Sequence, residues 1–576
     1  MRRNDMRITP QPETRTLRWL LEQSAQRFGT NPAVGTLGAE PMNYAALNRK
    51  AEHMAELLRR EGVRRGDRVA ILGENSPNWV VAFFGIAYCG AVAVPILPDF
   101  HTSEVHHILR HAEVRAIFIS ERLFDKLEGL EIHGSPVRIL LDTLQLLPDR
   151  TKKEHLKDWI RQGGRELDKL RAAALQMTGI DTEGKEDDLA SIIYTSGTTG
   201  HSKGVILTHR NLVSNVMATL KIQDVTEHDR FLSILPLSHA YENTIGMLIP
   251  IMQGACIYYT ERPPTPSVLL PAFREIRPTM MLSVPLVIEK IVKLRVFSKF
   301  TKNALLRRLY RIEGVRKKLH RAAGRKLMEA FGGEMRFFGI GGAPLSAEIE
   351  RFLREAGFPY AIGYGLTETS PLVAGCSPDR TRYRSTGPPL PDVEVTIHDP
   401  DPETGCGEIF VRGENIMRGY YKDPERTTEV LTEDGWFRTG DLGMMDGDGY
   451  LYIKGRIKNV IIGPNGENIY PEEIESVINA CEDVQESLVF EQGGKLVARV
   501  YLDYEKLEKE FPSHRLSETQ IMERIADRLE AVRRCANGKL SALSRINAVV
   551  EQTEPFEKTP TKKIKRYLYV LPGDGT

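Results

Sequence analysis

Cysteine is scarce in this chain and never clustered. Cys89, Cys256, Cys376, Cys406, Cys481 and Cys535 are spread through 576 positions with no C-x-x-C pair. That spacing argues against a disulfide framework or a zinc site and fits a reducing compartment. An excess of one charge is missing too: 78 Lys and Arg face 77 Asp and Glu, a formal net charge of +1, so nothing global points to nucleic acid. Residues 1–12 are charged and hold no apolar stretch; no secretory signal is expected there, and the expected location is cytoplasmic. One uncharged run, residues 79–97, is long enough to cross a bilayer. Gly85, Gly90 and Pro95 punctuate it, so a buried helix to about Tyr88, a turn at Cys89-Gly90 and a buried strand are expected instead. No internal repeat or low-complexity tract is present.

The length predicts two or more domains, each with its own core. Apolar residues at helical spacing mark helices over 17–28 and 44–60, and short apolar runs mark strands over 68–72 and 116–119 with a helix over 103–111 between them. This alternation predicts a parallel α/β sheet with covered faces. Residues 150–188 are charged and read as helical, 231–237 as a strand, and 245–259 as helix then strand broken at Gly254. From about Asp392 short β-rich runs (393–397, 408–411, 451–454) alternate with glycine turns. After Lys458 a compact α+β unit is expected: helix 471–480, strands 487–490 and 496–502, and helix 518–534.

The densest polar motif is Tyr194-Thr195-Ser196-Gly197-Thr198-Thr199-Gly200-His201-Ser202-Lys203-Gly204, set between apolar runs at 189–193 and 205–207. Glycines let backbone N–H groups approach a polyanion, hydroxyls donate to phosphate oxygens or ligate magnesium, and a lysine adds a point charge. The alternative is a polar hairpin turn, since the same residue types dominate turns. It is not a Walker A loop, which needs Gly-Lys-Ser/Thr opening a helix. Two further glycine-rich turns follow predicted strands: Gly341-Gly342-Ala343-Pro344 after 337–340, and Gly363-Tyr364-Gly365-Leu366-Thr367-Glu368-Thr369 after 360–362. Strand carboxyl ends are where open α/β sheets bind ligands.

Residues 290–326 carry fourteen Lys or Arg against one acid, Glu313, with apolar residues interleaved. A solvated helical face and a peripheral patch for anionic lipid both fit this pattern, and a nucleic-acid patch fits it less well. His107 and His111 have an i, i+4 spacing found at zinc sites, but no cysteine or zincin glutamate accompanies them, so surface histidines are expected.

The motifs also occur in a telling order. The phosphate loop, Leu235-Pro236-Leu237-Ser238-His239, Gly341-Gly342-Ala343-Pro344, Gly363-Tyr364-Gly365-Leu366-Thr367-Glu368, Asp434-Gly435-Trp436 with Thr439-Gly440-Asp441, Gly455-Arg456-Ile457-Lys458 and Thr559-Pro560-Thr561-Lys562-Lys563-Ile564-Lys565-Arg566 resemble the adenylate-forming (AMP-binding) superfamily. Within it they resemble the long-chain fatty acyl-CoA synthetases most. The likeness runs from about residue 16 to about 567.

That resemblance implies an α/β fold: a large N-terminal part (1–457) of stacked mixed and parallel sheets with helices, including a β-structured subdomain at about 392–457. A small mobile α+β C-terminal domain (458–576) would complete it. It also implies a ligase that converts a long-chain fatty acid and ATP to acyl-AMP and pyrophosphate, then to acyl-CoA and AMP. The cofactors implied are ATP, Mg2+ and coenzyme A as co-substrate. Thr195, Ser196, Gly197, Thr198, Thr199 and Lys203 would hold the β- and γ-phosphates, and Glu368 with Thr195 the magnesium. Tyr364 would stack on adenine, lined by Gly341, Gly342 and Ala343, with Gly365 and Thr367 beside the nucleotide. Asp441 and Arg456 would meet the ribose. Lys563 would be the catalytic lysine, with Lys562 as the alternative because the usual Gly-Lys is Lys-Lys here. Lys458 would be the hinge and Gly463 and Gly466 would line the coenzyme A channel. His239, also counted as catalytic, falls with Tyr241, Val284-Pro285, Gly339 and Gly363 where the family lines its acyl pocket. The expected partners are fatty acid, coenzyme A and, through 290–326, an anionic membrane at its inner face, with no nucleic acid. Three alternatives remain: a ligase passing the acid to a carrier protein or another nucleophile, a synthetase for medium-chain or aromatic acids, and a fatty-acid-binding scaffold with a dead site. No carrier-domain motif follows Lys563, which disfavours a fused assembly-line module, and the intact polar set disfavours the scaffold.

Overall fold

The computed structural model describes residues 14–130, 136–148, 184–195, 202–260, 264–297, 310–463, 468–511, 516–541, 544–559 and 563–570, with the backbone alone at 294 and 295. Two large sheets form its main body. One has the order Tyr360–Ile362, Phe337–Ile340, Met280–Ser283, Arg230–Ser233, Cys256–Tyr259, Pro32–Thr36, Met42–Asn43, and is parallel except at its last pair. The other runs Gly419–Tyr420, Lys203–Thr208, Leu189–Thr195, Val92–Ile96, Arg68–Leu72, Val114–Ile119, Val137–Leu140, Gln145–Leu147. Its centre is parallel, while the hairpin carrying the phosphate loop is antiparallel.

The helices Leu17–Phe28, Tyr44–Arg60 and Pro77–Cys89 share one apolar core with the facing sides of both sheets. The outer face of the eight-stranded sheet is covered by Thr102–His111. That of the seven-stranded sheet is covered by Pro266–Ile276, Glu313–Ala330 and Ala347–Ala356. The apolar run at 79–97 folds as expected: Ser76 caps the helix by accepting from Trp79 N–H, Pro77 sits in its first turn, and Gly90 ends it at φ 75°. The strand Val92–Ile96 follows, wholly buried. Among the described residues no helix is long and apolar enough to cross a membrane.

Three readings need correction. The strand expected over 231–237 stops at Ser233, because Pro236 has no N–H for a ladder and Leu237 N–H is taken by the Asn75 side chain at 2.8 Å. Within 150–188, residues 184–188 form a turn rather than a helix; residues 149–183 lie outside the described set. The C-terminal unit contains a strand the pattern did not show, Ala548–Gln552, which joins Lys495–Leu502 in parallel on the side away from Val484–Gln492.

Residues 393–456 form a four-stranded antiparallel sheet, Val393–His398, Gly407–Gly413, Phe437–Met445 and Leu451–Arg456. Beyond it the C-terminal three-stranded sheet packs with Pro471–Ile478 and Glu518–Asn537 around a core of its own.

Candidate active site

The loops after Phe337–Ile340, Tyr360–Ile362, Met280–Ser283 and Arg230–Ser233 all leave the same edge of the parallel sheet. They therefore bring Gly341-Gly342-Ala343, Gly363-Tyr364, Val284-Pro285 and His239 to one side. Gly342 adopts φ 86°, a left-handed backbone that glycine enters without strain.

Glu368 is 7 % exposed. It sits in the single turn Thr367–Thr369, with its carbonyl held by Met417 N–H at 2.8 Å. Its carboxylate accepts from Lys203 Nζ at 2.8 Å and from the Tyr420 hydroxyl at 3.0 Å. Lys203 also donates to Tyr420 at 2.6 Å and lies 4.2 Å from its ring centroid. Burial alone would raise the Glu368 pKa, but the Lys203 charge and bond outweigh it and hold the carboxyl below its ordinary value. Thr195, at the end of the strand facing this pair, has a buried hydroxyl without a partner among the described residues. An orphaned hydroxyl and an ionised carboxylate are hard oxygen donors, the set that suits magnesium completed by waters and phosphates.

Asp441 and Arg456 stand opposite each other in the register of the four-stranded sheet. Arg456 Nε lies 2.8 Å from Asp441 Oδ1, and the Tyr364 hydroxyl donates to Oδ2 at 2.8 Å. Asp441 is 5 % exposed, and burial raises its pKa, partly offset by Arg456 and Tyr364. Tyr364 therefore orients the acid through its hydroxyl, while its ring packs beside Val373, Ala374 and Leu390.

Lys563 comes from the C-terminal unit and reaches the same cleft. Its side chain is exposed to solvent yet crowded by protein, and burial followed by the Arg456 charge lowers its pKa, while Asp441 and Glu368 raise it. His239, whose Nδ1 accepts from Tyr241 N–H at 3.2 Å, feels the same lysine: burial first, then the Lys563 charge, lowers its pKa to about 4. The unit is docked with its lysine facing the cleft. Lys454 pairs with Glu473 at 3.0 Å, Lys293 donates to Asn479 O at 3.2 Å, and the Tyr470 hydroxyl donates to Cys406 Sγ at 3.3 Å. Lys458 lies in the turn Ile457–Asn459 at the start of the unit, and Gly463 is buried nearby.

An apolar cavity opens beside this polar centre. Tyr241, Ile245, Leu282, Phe337, Gly339 and Gly363 are among its walls. The Tyr241 ring covers the glycine strand: a Cβ on Gly339 would lie 3.0 Å from its hydroxyl and one on Gly341 3.2 Å from its ring. Of the residues expected at the acyl pocket, Tyr241, Gly339 and Gly363 line the cavity, whereas His239, Val284 and Pro285 are not among its walls. Ser196, Gly197, Thr198, Thr199, Lys562 and Gly466 lie outside the described residues. His111 bonds the Tyr194 hydroxyl at 2.7 Å, and no cluster of three metal-ligating side chains occurs among the described residues. Sequence reasoning missed Tyr420, which no local motif marks: a two-residue strand pairing with 205–206 delivers it.

The family model described as AMP-binding enzyme matches residues 21–421, more than half of the chain. The chain belongs to the AMP-binding enzymes. Among curated relatives of this AMP-binding enzyme, the peroxisomal long chain acyl-CoA synthetase 7 of Arabidopsis thaliana is 29% identical, covering 97% of this chain and 85% of that protein. Long-chain-fatty-acid–CoA ligase FadD15 of Mycobacterium bovis is 32% identical over 74% of this chain and 71% of its own. Among solved structures, ATP-bound MatB from Rhodopseudomonas palustris superposes with a TM-score of 0.73 at 25% identity, covering 96% of this chain and 98% of that one.

Proposed function

We propose that this enzyme activates a long-chain fatty acid in two steps. The carboxylate attacks the α-phosphate of ATP, giving acyl-AMP and pyrophosphate; the thiol of coenzyme A then attacks the acyl carbon and AMP leaves. One observation carries the reading. Glu368, Lys203, Asp441, Arg456 and Lys563 converge on one cleft, and an apolar cavity begins at its edge. The long-chain relatives supply the acid class.

In this reading Lys203, with Thr195, Ser196, Gly197, Thr198 and Thr199, takes the β- and γ-phosphates, releasing its bond to Glu368 as it does so. Glu368 and Thr195 hold magnesium, which offsets charge on the triphosphate when bound. Asp441, oriented by Tyr364, accepts from the ribose hydroxyls and Arg456 donates to them; Gly341, Gly342, Ala343, Gly365 and Thr367 line the nucleotide. Lys563 bridges the acid oxygen and the α-phosphate, as a mobile point charge does well. The C-terminal unit then turns about Lys458, withdrawing Lys563 and opening a path for coenzyme A past Gly463 and Gly466. Hinge motion of this kind commonly gates a two-step site. Tyr241, lying over Gly339 and Gly341, shields the mixed anhydride from water.

The test is pyrophosphate release from ATP with a panel of carboxylic acids, with and without coenzyme A. The panel includes bulky ring acids, because a Rhodococcus jostii relative at 29% identity is a ligase for a methyl-dioxo-octahydro-indenyl propanoate. Oleate-dependent turnover that needs coenzyme A is expected; no response to any acid contradicts the reading.

The same reading places the protein at the cytoplasmic face of an anionic membrane, contacting it through 290–326. Lys317, Lys318, Arg321, Arg325 and Lys326 are exposed on the helix Glu313–Ala330, and Leu286 and Ile312 are 52% and 55% exposed near the same stretch. Pelleting with phosphatidylglycerol vesicles but not phosphatidylcholine vesicles is expected, and equal pelleting with both contradicts it.

A further inference from the structure

The chain on either side of Lys563 is tied down within the C-terminal unit. An isolated antiparallel bridge joins Lys558 and Ile564. Thr559 N–H donates to Lys563 O at 2.8 Å, the Thr559 hydroxyl accepts from Lys563 N–H at 3.2 Å, and Lys565 N–H donates to Glu557 O at 2.9 Å. Side chains alternate along this extended stretch. Ile564 packs inward with Tyr569 and Val570 on Leu488, Phe490, Val497 and Phe556. Lys563 is exposed on the other side.

Arg566 turns inward as well. Its Nη2 lies 2.6 Å from Glu475 Oε1 and 2.5 Å from Oε2, and its Nη1 donates to Val489 O at 3.3 Å. Glu475 Oε1 also accepts from Val489 N–H at 2.7 Å, and Glu472 stands 3.8 Å from the guanidinium. One arginine thus ties three elements together: the lysine loop, the helix Pro471–Ile478 and the strand Val484–Gln492. The Arg566 and Glu475 side chains are 23% and 13% exposed, so water screens the pair weakly. Among the described residues, the partners of Arg566 are Glu472, Glu475 and Val489, all within the C-terminal unit itself.

We infer that Arg566, clamped by Glu475, is a positioning residue that sets the reach of Lys563 and so acts in adenylation but not in thioester formation. The inference rests on the function proposed above. Lys563 stands three residues before the clamp, so a free Arg566 lets the loop base shift and the ammonium group move off its mark. Misplacement of a catalytic group by about 1 Å costs on the order of 10²-fold in rate.

The experiment measures both half-reactions on the full chain with oleate. In Arg566→Ala, acid-dependent pyrophosphate release is expected to fall by about 10²-fold in kcat, with the KM for ATP within about twofold of wild type. Conversion of supplied oleoyl-AMP to oleoyl-CoA is expected to stay within about twofold; these bounds follow from the same confinement of the effect to the reacting centre. Arg566→Lys restores part of the loss, because an ammonium pairs with Glu475 but lacks the second guanidinium arm that donates to Val489 O. Glu475→Gln keeps the acceptor for Val489 N–H and removes the charge pair, so it should match Arg566→Ala in kinetics; the double variant should be no slower than either single, as for residues acting as one unit. A structural role alone would lower the melting temperature and depress both half-reactions together. That result, or wild-type adenylation in Arg566→Ala, overturns the inference. If wild type itself releases no pyrophosphate with any acid, the proposed function fails, and this inference falls with it; if wild type is active and Arg566→Ala equals it, the positioning role alone fails.

Discussion

Glu368 and Asp441 come from the large body, are nearly sealed from solvent and are each held by one cation and one tyrosine, Lys203 and Tyr420 for Glu368 and Arg456 and Tyr364 for Asp441. Lys563 comes from the small C-terminal unit, is exposed, and takes its position from its own bonds to Thr559 and from contacts made by Ile564 and Arg566. The difference follows from when each charge is needed. The nucleotide stays bound through both proposed steps, so its acceptors belong on packed strands where pre-organised dipoles cost no rearrangement. In the proposed mechanism the lysine serves the first step alone, so its place is expected on a loop that arrives and leaves with the C-terminal unit.

The contrast can be broken from the buried side. Glu368→Gln should give the largest effect, about 10² to 10³-fold in kcat for pyrophosphate release, as when one pre-organised electrostatic group is removed; rapid-quench measurement of the first half-reaction checks it. Asp441→Asn removes a charged acceptor and should raise the KM for ATP by about 10- to 100-fold, the worth of a hydrogen bond to a charged group, read from initial rates. Tyr364→Phe loses only the bond that orients Asp441, so a rise of roughly fivefold or less in the same KM is expected. The smallest effect lies away from the cleft. Glu242, buried in the helical turn Glu242–Leu248, has its pKa pushed up to about 8 by burial, eased by the Ser233 hydroxyl. The folded protein keeps a proton there that the unfolded chain releases near its ordinary value, so this group lowers stability as pH rises between about 4.5 and 8. In Glu242→Gln the melting temperature should fall less between pH 5 and pH 8 than in wild type.

How much was legible in advance divides along similar lines. The strands 337–340 and 360–362 were readable to the residue because apolar runs end in glycine turns. The helix and strand inside 79–97 were readable from Gly90 and Pro95. Ordered motifs marked the cleft residues, since each is a local cluster of unusual chemistry. Contacts set by sheet pairing were not readable. Lys203 and Glu368 are 165 residues apart, and Tyr420 reaches both only through a two-residue edge strand. Arg566 stands in sequence only as the last residue of the motif Thr559–Arg566; the folded sheet shows its partner, Glu475. The strand Ala548–Gln552 was hidden for a related reason: its mixed burial pattern lacks the alternation of a half-buried strand.

Lys563→Ala tests the division of labour most directly. Acyl-adenylate formation from oleate and ATP should fall by at least about 10²-fold, the scale for losing a charge aimed at the transition state, while conversion of supplied oleoyl-AMP to oleoyl-CoA continues near the wild-type rate. Equal loss in both half-reactions, with an unchanged melting temperature, would contradict the account.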